Sequence, residues 1–142
     1  MQNKARKIGQ NIGKLSNKIR RHLAALSTPG NYSGTQERTL HFLLTRDDCD
    51  IFQKDVEEEF GLRPPTASGL LKSMEQSGLI LRVPVEQDAR LKKIILTDKA
   101  LQYKNSVLVD LEAFERELAS GINEEDLIVF DRVIEKMISN LS

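Results

Sequence analysis

The sequence predicts a mainly α-helical fold carrying one two-stranded β-hairpin, and three observations lead there. Apolar residues recur at spacings of three and four, from Ile8, Ile12, Leu15 and Ile19 near one end to Leu127, Phe130, Ile134, Met137 and Leu141 at the other, which is the period of helices with one apolar stripe. Around Phe60-Gly61-Leu62-Arg63-Pro64-Pro65 one helix must stop and the next begin within a few residues. Gly61 can adopt the left-handed conformation that closes a helix, and prolines are tolerated in a first turn whose N–H groups have no acceptor. Finally, the β-rich segments 79–83 and 93–96 flank a polar loop, the pattern of a hairpin. A length of 142 residues, 39% hydrophobic and 30% charged, suits a single domain over 1–142 with its own core.

In chain order, the first helix is expected over 3–26, its stripe continuing through Leu23 and Leu26 before Ser27-Thr28-Pro29-Gly30 breaks it. A second helix over 35–45 carries Leu40, Leu43 and Leu44, and a third over 51–60 carries Phe52, Val56 and Phe60 at a spacing of four. The fourth, 64–76, places Ala67, Leu70, Leu71 and Met74 on one stripe and leaves Thr66, Ser68, Gly69, Lys72, Ser73 and Gln76 on the rest of its surface. Beyond the hairpin a long helix over 98–120 ends at Gly121, and Asn123 caps the last one, where Glu124, Glu125 and Asp126 suit the positive end of the helix dipole. Val133 and Ile138 widen the terminal stripe. A monomer would leave that face open to water, so a twofold mate is its natural cover, formed through Ile8, Ile12, Leu15, Ile19, Leu127, Phe130, Ile134, Met137 and Leu141.

The fourth helix is the one with a functional face. Its exposed side is small and polar, and its only carboxylate, Glu75, lies at the far end, so the N-terminal half can approach a polyanion without repulsion. Helix, tight turn, helix and hairpin together make a winged helix-turn-helix, a candidate for insertion into the DNA major groove. The segment from Gly78 to Arg82, then Asp88-Ala89-Arg90, then Leu96-Thr97, resembles the MarR family of transcriptional regulators over nearly the whole chain. Ala100 and Gly69 stand where that family often has glycine and a larger, often basic residue. The resemblance implies a winged helix-turn-helix lobe at 33–97, a helical dimerisation region at 1–28 and 98–142, and a homodimeric repressor on a pseudo-palindromic double-stranded operator. It further implies release by a small phenolic, carboxylic or other lipophilic ligand. On this sequence the reading helix contributes Arg63, Thr66, Ser68, Gly69 and Lys72, and the wing contributes Arg82, Asp88, Arg90, Lys92 and Lys93. The arginine matching Arg90 enters the minor groove in the family. The competing reading is a winged helix used as a protein-interaction module with no operator of its own.

Charge distribution is compatible with DNA binding although the formal net charge is zero. Residues 1–26 carry seven bases and no acid, 47–60 seven acids against Lys54, and 63–93 six bases against three acids. Because screening acts over about 8 Å at physiological salt, the local sign governs contact with phosphates. Catalysis finds no support: His22 and His41 lack metal-spaced partners, and neither a phosphate-binding glycine loop nor a nucleophile elbow is present. His22 reads as structural. No cofactor or metal is expected. Cys49, the single cysteine, rules out an internal disulfide and lies among acids that disfavour a reactive thiolate; family members that sense oxidants use a cysteine near the start of the first helix, where none stands here. Polar interruptions of the basic N-terminal stretch argue against a secretory or membrane-spanning segment, and a cytoplasmic location is expected.

Overall fold

The computed structural model describes residues 6–26, 32–46 and 49–142. The elements run α1 (Ile8–Ala25), α2 (Gly34–Leu44), β1 (Ile51–Phe52), α3 (Gln53–Phe60), α4 (Pro64–Gln76), β2 (Ile80–Val85), β3 (Asp88–Leu96), α5 (Asp98–Leu101), α6 (Lys104–Leu118) and α7 (Glu124–Asn140). Two compact units emerge, one ending at Leu108 and the other covering 109–142. Among the described residues no helix is long and apolar enough to cross a membrane.

The first unit holds a core in which Leu40 and Leu44 of α2, Val56 of α3, Ala67, Leu71 and Met74 of α4, and Leu79 and Ile80 at the start of the wing are all but inaccessible. The stripe expected on α4 is therefore the buried one, with Leu70 only half-buried at its edge. The start of α2 is set by a reciprocal capping box, in which Ser33 Oγ accepts from the Gln36 N–H and the Gln36 side chain accepts from the Ser33 N–H. In the second unit Gly121 (φ +77°) closes the turn after α6, and Asn123 Oδ1 caps α7 by accepting from the Asp126 N–H at 2.8 Å.

Four expectations change. Helix α1 begins at Ile8, leaving Arg6 and Lys7 outside it, because no side chain caps its N-terminus and no acid occupies its first turn; residues 1–5, like the predicted break at 27–30, lie outside the described residues. The third helix is shorter than expected, since Ile51 and Phe52 are extended and pair with Ile94 and Lys93 of β3. The hairpin thus becomes a three-stranded antiparallel sheet in the order β1-β3-β2. An Asp55 carboxylate accepting from the Phe52 N–H at 2.8 Å marks the strand-to-helix switch. Lastly, the helix expected over 98–120 is divided. The Tyr103 N–H turns back to the Ala100 carbonyl at 3.0 Å, and the Tyr103 ring packs edge-on against Tyr32 with centroids 6.3 Å apart. Their hydroxyls are 3.4 Å apart, and this hydrogen bond, with partial desolvation, holds Tyr103 above the ordinary tyrosine pKa.

Candidate nucleic-acid interface

Local chemistry positions the reading helix. Helix α3 ends at Gly61, left-handed at φ +62°, and the Leu62 N–H returns to the Glu57 carbonyl at 2.9 Å. Arg63 is extended and Pro64 and Pro65 form the first turn of α4. Gln53 Nε2 donates to the Pro64 carbonyl at 3.2 Å, fastening the start of α3 to the start of α4. With Ala67, Leu71 and Met74 buried, Arg63, Thr66, Gly69 and Lys72 are exposed and Ser68 is half-buried. A Cβ at Gly69 would meet nothing within 4 Å, so no internal packing demands glycine there. Ser73, expected on the open face, instead accepts a hydrogen bond from Gln36 Nε2 and ties α4 to α2.

The wing departs from a simple hairpin. Strands β2 and β3 pair in steady register from Ile80↔Leu96 to Pro84↔Lys92, and then jump to Val85↔Asp88. Ala89, Arg90 and Leu91 therefore form a bulge with no opposing residues, next to a proline that has no N–H to offer the ladder. All three are exposed, and the Arg90 side chain is 93% accessible. Asp88 Oδ1 accepts from the Arg90 backbone N–H at 3.0 Å and from its Nε at 3.4 Å. The carboxylate thus fixes the backbone of the bulge more tightly than it holds the guanidinium. Thr97 secures the base of the wing by donating from Oγ1 to the Gly78 carbonyl at 2.6 Å.

Two expected wing cations are engaged inside the chain. Arg82 binds Glu75 Oε1 through Nη2 at 2.7 Å and Nε at 2.9 Å, with its side chain only 20% exposed. It joins the end of α4 to β2 rather than projecting toward solvent, because a half-buried guanidinium is stabilised by a carboxylate it can chelate. Lys93 reaches Asp50 at 3.4 Å, while Lys92 is exposed. Glu75 and Gln36 also organise the site, through Arg82 and Ser73, although neither carries a local motif that marks it in the sequence. The only available signal was that one acid stands on an otherwise acid-free helix, seven residues before Arg82.

Elsewhere, α1, α2 and the α3–α4 turn enclose a groove of about 390 Å³ whose walls include Ile19, Leu23, Phe60 and Leu62, with Arg20 and Arg38 at its polar side. The apolar residues expected at a dimer interface lie open: Ile8, Ile12 and Leu15 on α1, which has no buried residue, and on α7 Phe130 at 50% and the following Leu141 at 92% exposure. Ile19, Leu127, Ile134 and Met137 are half-buried. Cys49 is exposed and receives an Arg46 N–H at 3.5 Å. His22 Nδ1 contacts the Lys18 carbonyl one turn back, and among the described residues no cluster of metal-ligating side chains occurs.

Comparison with known proteins agrees with this architecture. A family model described as the MarR family matches residues 31–91, and the transcription regulator MarR from Oenococcus oeni PSU-1 superposes with a TM-score of 0.79 at 26% identity, covering 94% of this chain and 99% of that one. The chain resembles the MarR family, in sequence over residues 31–91 and in fold. The MarR fold also appears in S. aureus MepR bound to DNA (TM-score 0.77, 23% identity, 96% and 99% covered). The heme sensor PefR from Streptococcus agalactiae in complex with heme matches more loosely, with a TM-score of 0.55 at 27% identity and coverage of 99% and 95%.

Proposed function

We propose that this chain is a homodimeric repressor of the MarR type that binds a pseudo-palindromic operator through residues 33–97, using 1–28 and 98–142 to dimerise. The observation that carries the reading is the pairing of two solvent-facing probes on one lobe. One is the acid-free face of α4 around Arg63, Thr66, Ser68 and Lys72; the other is Arg90, held out on the bulge of the wing. The first matches the width of a major groove, and the second suits a narrow minor groove, where negative potential is concentrated. MepR, a protein of the same fold, is known bound to DNA, which supports the assignment. Release by a small aromatic or lipophilic effector is consistent with the groove behind the α3–α4 turn and with the heme bound by PefR.

Selection of duplex DNA from a random pool at two salt concentrations tests the proposal. The expected product is an inverted repeat whose half-sites are centred about one helical turn, roughly 10 base pairs, apart. Recovery of no enriched motif, with binding that only follows ionic strength, would favour a winged helix without an operator.

A further inference from the structure

We propose that the cleft between the wing and the start of α3 seats a backbone phosphate of the operator, with Lys54 as its main ligand. The inference rests on the DNA-binding reading above and extends it to a residue of an element with no assigned contact. The cleft measures about 320 Å³, with Gln53 and Lys54 on one side and Arg82, Arg90 and Lys92 on the other, and no carboxylate residue lines it. Arg82 is held by Glu75 and Arg90 is paired with Asp88 and serves as the minor-groove probe, so Lys54 and Lys92 are the cations left to face an incoming phosphate. Lys54 is exposed. Glu58 stands one turn along the same helix, where an i,i+4 partner belongs, yet among the described residues Lys54 forms no ion pair. Lys54 is also the one base in the acidic stretch 47–60, which from sequence alone reads as a solvated face.

The position of the cleft explains why a phosphate belongs there. Gln53 bonds the Pro64 carbonyl, so one edge borders the start of α4, while Arg90 of the wing forms the opposite edge. With α4 in a major groove and Arg90 in the neighbouring minor groove, the sugar-phosphate strand that separates the two grooves must cross the protein surface between these elements. A cationic cleft on that path neutralises the strand and fixes the register of both probes, as phosphate contacts generally do.

The test uses the full-length chain and an operator duplex obtained by selection. Lys54→Ala, an exposed substitution whose folding is checked by circular dichroism, should weaken binding about three- to tenfold and lower the log–log salt slope by about 1. It should leave the selected sequence unchanged, and Lys54→Arg should bind like the wild type. Duplexes carrying a single neutral methylphosphonate locate the contact. At the phosphate between the major-groove half-site and the wing's minor groove, neutralisation should weaken the wild type and cause no further loss in Lys54→Ala. The inference is overturned by unchanged affinity and slope for Lys54→Ala on an operator the wild type binds, by additive losses at every methylphosphonate position, or by a changed sequence preference. A wild type that binds no selected duplex overturns the DNA-binding reading and the phosphate seat together.

Discussion

Asp88 and Arg90 divide the work of the wing tip by distance. The carboxylate receives the Arg90 N–H at 3.0 Å and the guanidinium Nε at 3.4 Å, so its main effect is on the shape of the bulge. An exposed ion pair of this length contributes under about 1 kcal/mol by itself, and the Arg90 side chain stays free to enter a groove. Arg90→Ala is therefore expected to leave thermal stability unchanged within about 0.5 kcal/mol while cutting operator affinity by about 1 to 3 kcal/mol, read by titration against labelled duplex. Asp88→Ala should show a weaker form of the same loss although it removes a negative charge, and Asp88→Asn should recover most of it, because the amide oxygen still accepts from the Arg90 N–H. Binding that rises in Asp88→Ala and hardly moves in Arg90→Ala would remove the wing as a DNA probe. On α4, alanine at Arg63, Thr66, Ser68 and Lys72 together should abolish the selected motif. Survival of the motif would show that this helix does not read bases.

Helix α4 and the wing are coupled by one ion pair across two elements. Arg82 chelates Glu75 where both side chains are less than a third exposed, a setting in which charge-assisted hydrogen bonds outweigh those at an open surface. A double-mutant cycle of Glu75→Gln and Arg82→Lys, followed by urea unfolding, should give a coupling energy of about 1 kcal/mol. Each single variant should lose operator affinity beyond its loss of stability, since the two probes would no longer keep a common spacing. A coupling energy of zero would show that Arg82 is held by packing and not by Glu75. The start of α4 is fixed independently by Gln53 and its last turn by the Gln36–Ser73 bond, so these losses should be partial.

Helices α1 and α7 carry apolar stripes that their own units leave open, and exposed apolar surface of this kind seeks a partner. With the twofold mate proposed above, Ile134→Glu or Met137→Glu should dissociate or unfold the protein, because a carboxylate buried in an apolar interface without a partner is strongly destabilising. Sedimentation at micromolar concentration reads the outcome directly. A wild type that sediments there as a stable monomer would refute the assembly and, with it, the inverted-repeat operator.

Local rules determined much of this from the sequence. The limits of α4 follow from Gly61, Pro64 and Pro65, its buried face from the spacing of Ala67, Leu71 and Met74, and the cap of α7 from Asn123, because each depends on residues within one or two turns. The likeness to the MarR family was legible for a similar reason, since Asp88-Ala89-Arg90 and Leu96-Thr97 are contiguous motifs. What the tertiary structure decided depends on partners distant in sequence. Ile51 and Phe52 became a strand because β3 offered a free edge, the helix after Thr97 broke where Tyr103 met Tyr32, 71 residues away, and Ser73 turned from the open face toward Gln36. Arg82 and Lys93 look like free cations in the sequence. Only the fold brings Glu75 and Asp50 to them, and only the fold puts Lys54, alone among acids in the chain, opposite Arg90 and Lys92 across one cleft. Charge carries no orientation along a sequence; it acquires a role when packing chooses which groups lie within a few ångströms of it.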